Sequence, residues 1–374
     1  QSPRAFWEYM VKKMAKCDMV QSKLDPCLFI SDTVIAVMYV DDILMWSTHE
    51  DHIYALGDLL RAEGVDLEEE DDAAGFLGVN FVKDPVTGQM IMTQEGLIDR
   101  VIEALGLDID QSTPQNSPCM KVPLTKVLDG DPPQKSFSYA SVIGMMLYLS
   151  GHSRPDISYS VSCAARFAFC PRRSHELALK LIGRYLLATR YKGLVLTPTN
   201  ELNIAAYPDS NFAGLWGHED SLDPTCVHSR TGFVINVTNC PVLWKSTLQT
   251  LTATSTMEAE VVALATCCRE LMSIIDLVES VGKAVDLGNS TGPKMHVIIH
   301  EDNASALILA KTVPPQFTPR SKAYAVKTHW FREQIIERGI KIVKISTTKK
   351  LGDICTKCLP LATFQYLRKK LMGW

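Results

Sequence analysis

The sequence predicts a multidomain chain, α/β in one part and α+β in another, and three observations carry that reading. Its 374 residues exceed the size at which a single core usually keeps growing, so two or three domains are expected. The stretch DIDQSTPQNSPCMKVPLTKVLDGDPPQKS carries five prolines and little periodicity, the mark of an extended connector. After Leu202 the pattern changes to three strands, a helix, a strand, a helix and a final strand, the order of a mixed sheet with helices packed on it. The expected organisation is residues 1–107, a connector at 108–138, a helical segment at 139–200 and a mixed-sheet domain at 201–374. No internal repeat is found.

Each element has its own signal. Residues 27–47 read as a strand, a turn at Ser31 and Asp32, and a second strand, VIAVMYVDDILMW, rich in β-branched and aromatic side chains. HEDHIYALGDLLRAEG follows as a helix with apolar positions at Ile53, Leu56, Leu59 and Leu60. FLGVNFVKDPVTGQMIMTQ reads as a hairpin closed by Pro85-Val86-Thr87-Gly88. From Tyr139 to about Thr189 the pattern is helical, broken at Arg154-Pro155 and at Cys170-Pro171. Farther on, NIAAYPDS is a strand ending in Asp209, and GFVINVTNCPVLWKS is two strands around a Thr-Asn-Cys-Pro turn. STMEAEVVALATCCRELMSIIDLVESVG is a long helix with a Ser cap. KMHVIIHED is a strand running into Glu301 and Asp302, NASALILAK a helix, IKIVKIS a last strand, and KKLGDICTK leads to a short basic helix.

The composition, 46% hydrophobic and 21% charged, is that of a folded chain. No run of about eighteen uncharged apolar residues supports a membrane span, and QSPRAFWEYM lacks the apolar core of a signal peptide. The same segment lacks an initiator Met, so a piece of something longer is expected. Eleven cysteines, an odd number, fit reduced thiols in an intracellular compartment. Cys355 and Cys358 have neither a second pair nor a nearby His, so they read as structural and not as half a zinc site.

The net charge of −4 hides an asymmetry. From Lys311 onward fourteen Lys and Arg stand against three Asp and Glu, a net of +11. Such a surface is the electrostatic footprint of polyanion binding. The acidic run Asp66–Asp72 reads as a solvated turn, since a charge run is usually exposed.

Two features need an explanation beyond folding. Tyr39-Val40-Asp41-Asp42 places adjacent carboxylates inside an apolar strand-like run, where they repel each other and lose hydration unless a cation or water sits beside them. In the mixed-sheet segment Asp209, Glu260, Asp302 and Asp353 lie where strands stop and helices begin. Singly, each has a plain structural reading: Asp209 and Asp302 as caps, Glu260 as a surface helix residue, Asp353 as an N-cap. Glu260 fits its reading least, because VVALA follows it on a helix apolar on most sides. If the four converge, divalent cations would relieve their repulsion, and hard oxygen ligands favour Mg²⁺ or Mn²⁺.

These blocks together resemble a known family. KLDPCLF, YVDD with its flanks, FLGVNF, YASVIGMMLYLSGHSRPDISYSV, AYPDSNFAG, SRTGFV, STMEAEVVAL, HEDNASALILAK and LGDICTK, in this order, are similar to the copia-type retrotransposon polyprotein. The resemblance runs from the C-terminal half of the reverse transcriptase through the ribonuclease H domain and covers essentially the whole chain. It implies a partial palm and thumb at 1–200, connector included, followed by a ribonuclease H-like mixed sheet at 201–374.

The resemblance also implies roles. Tyr39, Val40, Asp41 and Asp42 would form the tip of a palm hairpin, with Asp41 and Asp42 as metal ligands and Tyr39 and Val40 against nucleic acid. Phe76, Leu77 and Gly78 match a primer-gripping hairpin. The palm Asp on an earlier strand, and the fingers, match positions upstream of Gln1, so this chain is not expected to polymerise by itself. Asp209, Glu260, Asp302 and Asp353 match the acids that hold two Mg²⁺ or Mn²⁺ ions in hydrolysis of RNA in an RNA·DNA hybrid. Asn303 and Ser305 would contact the hybrid backbone at a helix start. Expected partners are the hybrid, an RNA template and DNA primer, and the remaining N-terminal polymerase region, with no membrane. The compartment implied is cytoplasmic particles, or the nucleus.

The chain departs from the family pattern at Lys322-Ala323-Tyr324-Ala325, where a Lys-His-Ile-Asp block is usual, and at Cys358, where Pro is usual. An alternative reading therefore stands beside the enzyme: a catalytically inactive element remnant that acts as a nucleic-acid-binding or interaction module.

Overall fold

The computed structural model describes residues 3–70, 73, 75–108, 112–126, 130–284, 295–311 and 322–374. Asp71 and Asp72 of the acidic run, residues 109–111 and 127–129 of the connector, and the side chains of Lys322, Ala323 and Tyr324 lie outside the described residues. Two compact units emerge, one of residues 1–81 with 272–294, the other of residues 82–271 with 295–374.

The first unit opens with helix α1, Pro3–Lys16, followed by strands β1 (Val20–Gln21), β2 (Leu28–Ile30), β3 (Val34–Tyr39) and β4 (Asp42–Ser47), and by helix α2, Glu50–Ala62. The strands form one antiparallel sheet in the order β1-β2-β3-β4. Strand β3 alternates buried and less buried residues, and Val34, Ala36 and Met38 meet Met10 and Met14 of α1 and Leu56 and Leu60 of α2 in a common core.

One reading of the sequence changes here. VIAVMYVDDILMW is two strands and not one, because the chain reverses at Val40-Asp41 and Tyr39 pairs with Asp42 across the turn. No Gly, Asn or Pro announces that reversal. Val40 takes a φ of 52°, a strained value for a β-branched residue. The two acids consequently sit at an exposed tip instead of inside an apolar strand.

The boundary between the units falls within β5, Asn80–Lys83. In the second unit β6 (Met90–Thr93) leads into α3 (Glu95–Ala104), α4 (Tyr139–His152), α5 (Ser158–Ala165), α6 (Arg173–Ala188) and β7 (Leu194–Leu196). The expected breaks hold: a 3₁₀ turn begins at Pro155, and α6 starts only after Pro171. Ser138 caps α4 by accepting from the Ser141 amide.

The break after α4 contains a buried ion pair. Arg154 is fully buried and grips both oxygens of Asp156 at 2.9 Å, while the Tyr185 hydroxyl donates to the same carboxylate at 2.5 Å. Arg154 also donates to Thr189 Oγ1 at 2.8 Å, and its guanidinium lies 5.5 Å from the centre of the Tyr185 ring and 5.7 Å from that of Trp374. Every oxygen of the carboxylate thus has a partner, the condition under which a buried charge is tolerated.

Strands β8 (Asn203–Asn211), β9 (Arg230–Val237) and β10 (Cys240–Leu248), helix α7 (Thr256–Ala284, in this unit to Leu271), strand β11 (His296–Glu301), helices α8 (Ala304–Lys311) and α9 (Lys322–Glu337), strand β12 (Lys341–Lys344) and helix α10 (Leu361–Met372) complete the chain. The sheet order is β10-β9-β8-β11-β12. Strands β8, β9 and β10 are antiparallel, whereas β11 runs parallel to both β8 and β12. This is the mixed α/β sheet with flanking helices that the sequence pattern predicts. Among the described residues no helix is long and apolar enough to cross a membrane.

Candidate metal centre

The parallel pair β8 and β11 sets the site. Asp209 lies on β8 two residues before its end, and β11 stops at Glu301 with Asp302 next. Helix α7 contributes Glu260, one helical turn from its start. Oxygens of Asp209, Glu260 and Asp302, from three separate elements, all lie within 4.8 Å of one another. Asp209 is 2% exposed and Glu260 8%, so mutual repulsion is weakly screened.

Asp353 reaches the same place by a different device. It sits in a 3₁₀ turn, Leu351–Cys355, and does not open a helix as its sequence position implies. Two glycines admit that turn. A Cβ on Gly352 would fall on the Tyr207 carbonyl and 2.9 Å from Asp209 Cβ, and a Cβ on Gly232, which pairs with Asp209 across the sheet, would fall 2.8 Å from Cys355 Cβ. Without side chains there, the turn presses directly on β8 and β9. Thr356 then donates its hydroxyl to Asp209 Oδ2, and Lys357 bridges Asp353 at 3.0 Å and Asp209 at 3.8 Å.

The sequence reading missed two participants. Glu301 is fully buried beside Asp302, and Lys350, also fully buried, points its ammonium into the acids. Lys350 Nζ lies 3.3 Å from Asp209, 3.4 Å from Glu301 and 3.9 Å from Glu260, and donates to Asp302. A Lys-Lys pair in a basic tail reads as solvated. Here one member, Lys350, turns inward while Lys349 stays exposed.

Burial pushes Glu260 up to about 9, with Lys350 pulling down and the charges of Asp209, Glu301 and Asp302 adding to the rise. Burial and the Asp209 charge lift Asp353 to about 7 against the pull of Lys357. Burial lifts Glu301 as well. At Asp302 burial works upward, but Lys350 outweighs it and the carboxyl ends below its ordinary value.

The residues fit a divalent ion. Glu260 Oε2 and Glu301 Oε2 are buried acceptors with no hydrogen-bond donor, and all the ligands offered are hard carboxylate oxygens.

No family model matches the chain. Over 387 residues it is 27% identical to the retrovirus-related Pol polyprotein from transposon TNT 1-94 of Nicotiana tabacum, an alignment taking in 100% of this chain and 27% of that one. Along essentially its whole length the chain is similar to the retrovirus-related Pol polyproteins of plant transposons, RE1 and RE2 of Arabidopsis thaliana also at 27% identity. It spans about a quarter of the length of the curated Pol polyproteins it matches. A shorter similarity, 31% over 136 residues, covers 36% of this chain and 90% of secreted RxLR effector protein 161 of Plasmopara viticola. Among solved structures, LC11-RNase H1 in complex with RNA/DNA hybrid aligns with 39% of this chain and 88% of its own at 18% identity and a TM-score of 0.27.

Elsewhere in the chain the residues singled out from the sequence are placed as follows. Tyr39, Val40, Asp41 and Asp42 are all exposed at the hairpin tip. Among the described residues no third His, Cys or acid joins Asp41 and Asp42 to make a metal-sized cluster. Phe76, Leu77 and Gly78 form a 3₁₀ turn in which Leu77 has a φ of 53°. Asn303 caps α8, its side-chain oxygen accepting from the Ser305 and Ala306 amides at 3.0 Å, while Ser305 is exposed at the helix start. The capping leaves only the Asn303 amide hydrogens for a ligand.

The lifted acids set a pH dependence for the metal-free chain. Glu260 and Asp353 keep protons in the folded state that the unfolded chain releases near pH 4. Between about pH 4 and about pH 9 the folded state therefore binds more protons, and stability falls as pH rises. Thermal melts in EDTA are expected to show a lower midpoint at about pH 9 than at about pH 6. Mg²⁺ or Mn²⁺ should weaken or reverse that slope, because ligation needs ionised carboxylates. A midpoint that rises with pH in EDTA contradicts the assignment.

Proposed function

We propose that this Pol chain hydrolyses the RNA strand of RNA·DNA hybrids at the acid cluster, with residues 201–374 as its ribonuclease H-like domain. The convergence of Asp209, Glu260 and Asp302 within 4.8 Å carries the reading. Asp209, Glu260 and Asp302 would hold one ion, and Asp353 beside Asp209 would hold a second. When bound, the two ions supply an activated water and charge on the leaving 3′ oxygen. The chain's own part is positional. Thr356 and Lys357 orient the Asp209 and Asp353 carboxylates, and the two glycines keep the last acid against the sheet. Exposed Ser305 at the start of α8 would meet the hybrid backbone, and a requirement for 2′-hydroxyls would select RNA. The basic C-terminal residues would add phosphate contacts that weaken with salt.

We assign residues 1–107 to a partial reverse transcriptase palm, 108–138 to the connector and 139–200 to a thumb-like segment. Asp41 and Asp42, exposed at the hairpin tip, would be metal ligands there. The test is incubation of the chain with end-labelled RNA in an RNA·DNA hybrid, in double-stranded RNA and as a single strand, with Mg²⁺ or Mn²⁺ or with EDTA. Cleavage confined to the hybrid and to metal supports the reading. Salt-sensitive hybrid binding with no cleavage under any condition favours the inactive remnant.

A further inference from the structure

Lys350 occupies the space where the acids meet. It has no exposed surface, and its ammonium faces Asp209, Glu260, Glu301 and Asp302 at once. Removing an ammonium from water is unfavourable unless charge and hydrogen bonds replace the hydration, and here four carboxylates do so. Conversely, four carboxylates sharing one buried space repel each other unless a cation stands among them. The two problems have one solution in the same side chain.

Position along the chain matters too. Lys350 immediately precedes the 3₁₀ turn that carries Asp353, and its carbonyl accepts from the Asp353 amide at 3.3 Å. Its amide in turn donates to the Thr347 carbonyl at 3.3 Å. The backbone is thereby fixed while the four-carbon stem stays rotatable.

We propose that Lys350 is a built-in counter-ion of the acid cluster: without metal its ammonium holds the carboxylates together, and a divalent cation enters by displacing it. The proposal rests on the metal-binding reading of the acids. It makes metal affinity the outcome of a competition inside the protein, so Mg²⁺ or Mn²⁺ binds more weakly than the number of carboxylates implies.

The experiment compares the wild type with Lys350→Met by calorimetric Mn²⁺ titration and by thermal melts in EDTA and in Mn²⁺. The variant is expected to melt lower in EDTA, to gain more from Mn²⁺, and to bind Mn²⁺ on the order of tenfold more tightly. Equal or weaker Mn²⁺ binding by a folded variant overturns the counter-ion. Absence of Mn²⁺ binding to both proteins overturns the metal reading itself and the competition with it. If the variant does not fold, the wild type decides. Reductive methylation of Lys350, read by peptide mass spectrometry, is expected to rise when Mn²⁺ saturates the protein, and unchanged labelling at saturation overturns the displacement.

Discussion

Asp302→Asn is expected to lower metal-dependent cleavage of hybrid RNA by more than about a thousandfold, about 4 kcal/mol of barrier. The substitution keeps the volume and one carbonyl oxygen, so the packing at the end of β11 is preserved. What it removes is the charge. Asp302 is the carboxyl held below its ordinary value by Lys350, whereas burial lifts Glu260, Glu301 and Asp353. It is also less buried than Asp209 or Glu301, which leaves it the most accessible to a substrate. On the proposed function, hybrid binding, measured by fluorescence anisotropy at low salt, should survive, because phosphate contacts would come from basic side chains elsewhere. Cleavage by the variant at the wild-type rate would mean that the acids serve folding and not chemistry.

Arg154→Ala should cost about 3–5 kcal/mol of folding stability, the largest such effect expected in the second unit. The change strands Asp156 fully buried with only the Tyr185 hydroxyl for company, and leaves a void between the rings of Tyr185 and Trp374. Arg154→Lys should recover little of the loss. A lysine ammonium cannot bridge both oxygens of Asp156 and reach Thr189 Oγ1 in one plane, as the guanidinium does. Urea denaturation followed by circular dichroism measures both variants, and a midpoint within error of the wild type in Arg154→Ala would show that the pair contributes nothing net.

The contrast between these two sites shows what a sequence discloses. Pro155 and Pro171 mark helix breaks by local chemistry, because a missing amide hydrogen and a fixed φ act wherever the residue stands. The strands of the mixed sheet and helix α7 were readable for a related reason: their periodicity is a property of a short window. Asp209, Glu260, Asp302 and Asp353 were singled out by family resemblance and by the cost of burying Glu260. Their convergence is tertiary. Glu301 and Lys350 carried no local signal at all, since an acid beside an acid and a lysine beside a lysine are ordinary on a surface. The register of β11 against β12 places Glu301, and the close docking of the turn that follows Lys350 accompanies its inward turn. The reversal at Val40-Asp41 is implied by the family resemblance but has no local signal, because a strained backbone there stands in for the usual turn residues.

The short turn carrying Asp353 has a further consequence, in the order of assembly. Strands β8 and β11 bring Asp209 and Asp302 together, whereas the lysine that neutralises them lies about fifty residues downstream of Asp302. Until the segment from Thr347 to Thr356 docks, the paired strands carry uncompensated charge at their ends. Because β12 is paired with β11 just before this segment, docking it closes only a short stretch of chain, and it brings Lys350, Gly352 and Thr356 together. The last acid and the cation that tolerates the others thus come on one piece of chain. A chain cut short of residue 347 would keep Asp209, Glu260, Glu301 and Asp302 but lose Lys350, leaving the acids on an unfinished sheet edge without their counter-charge.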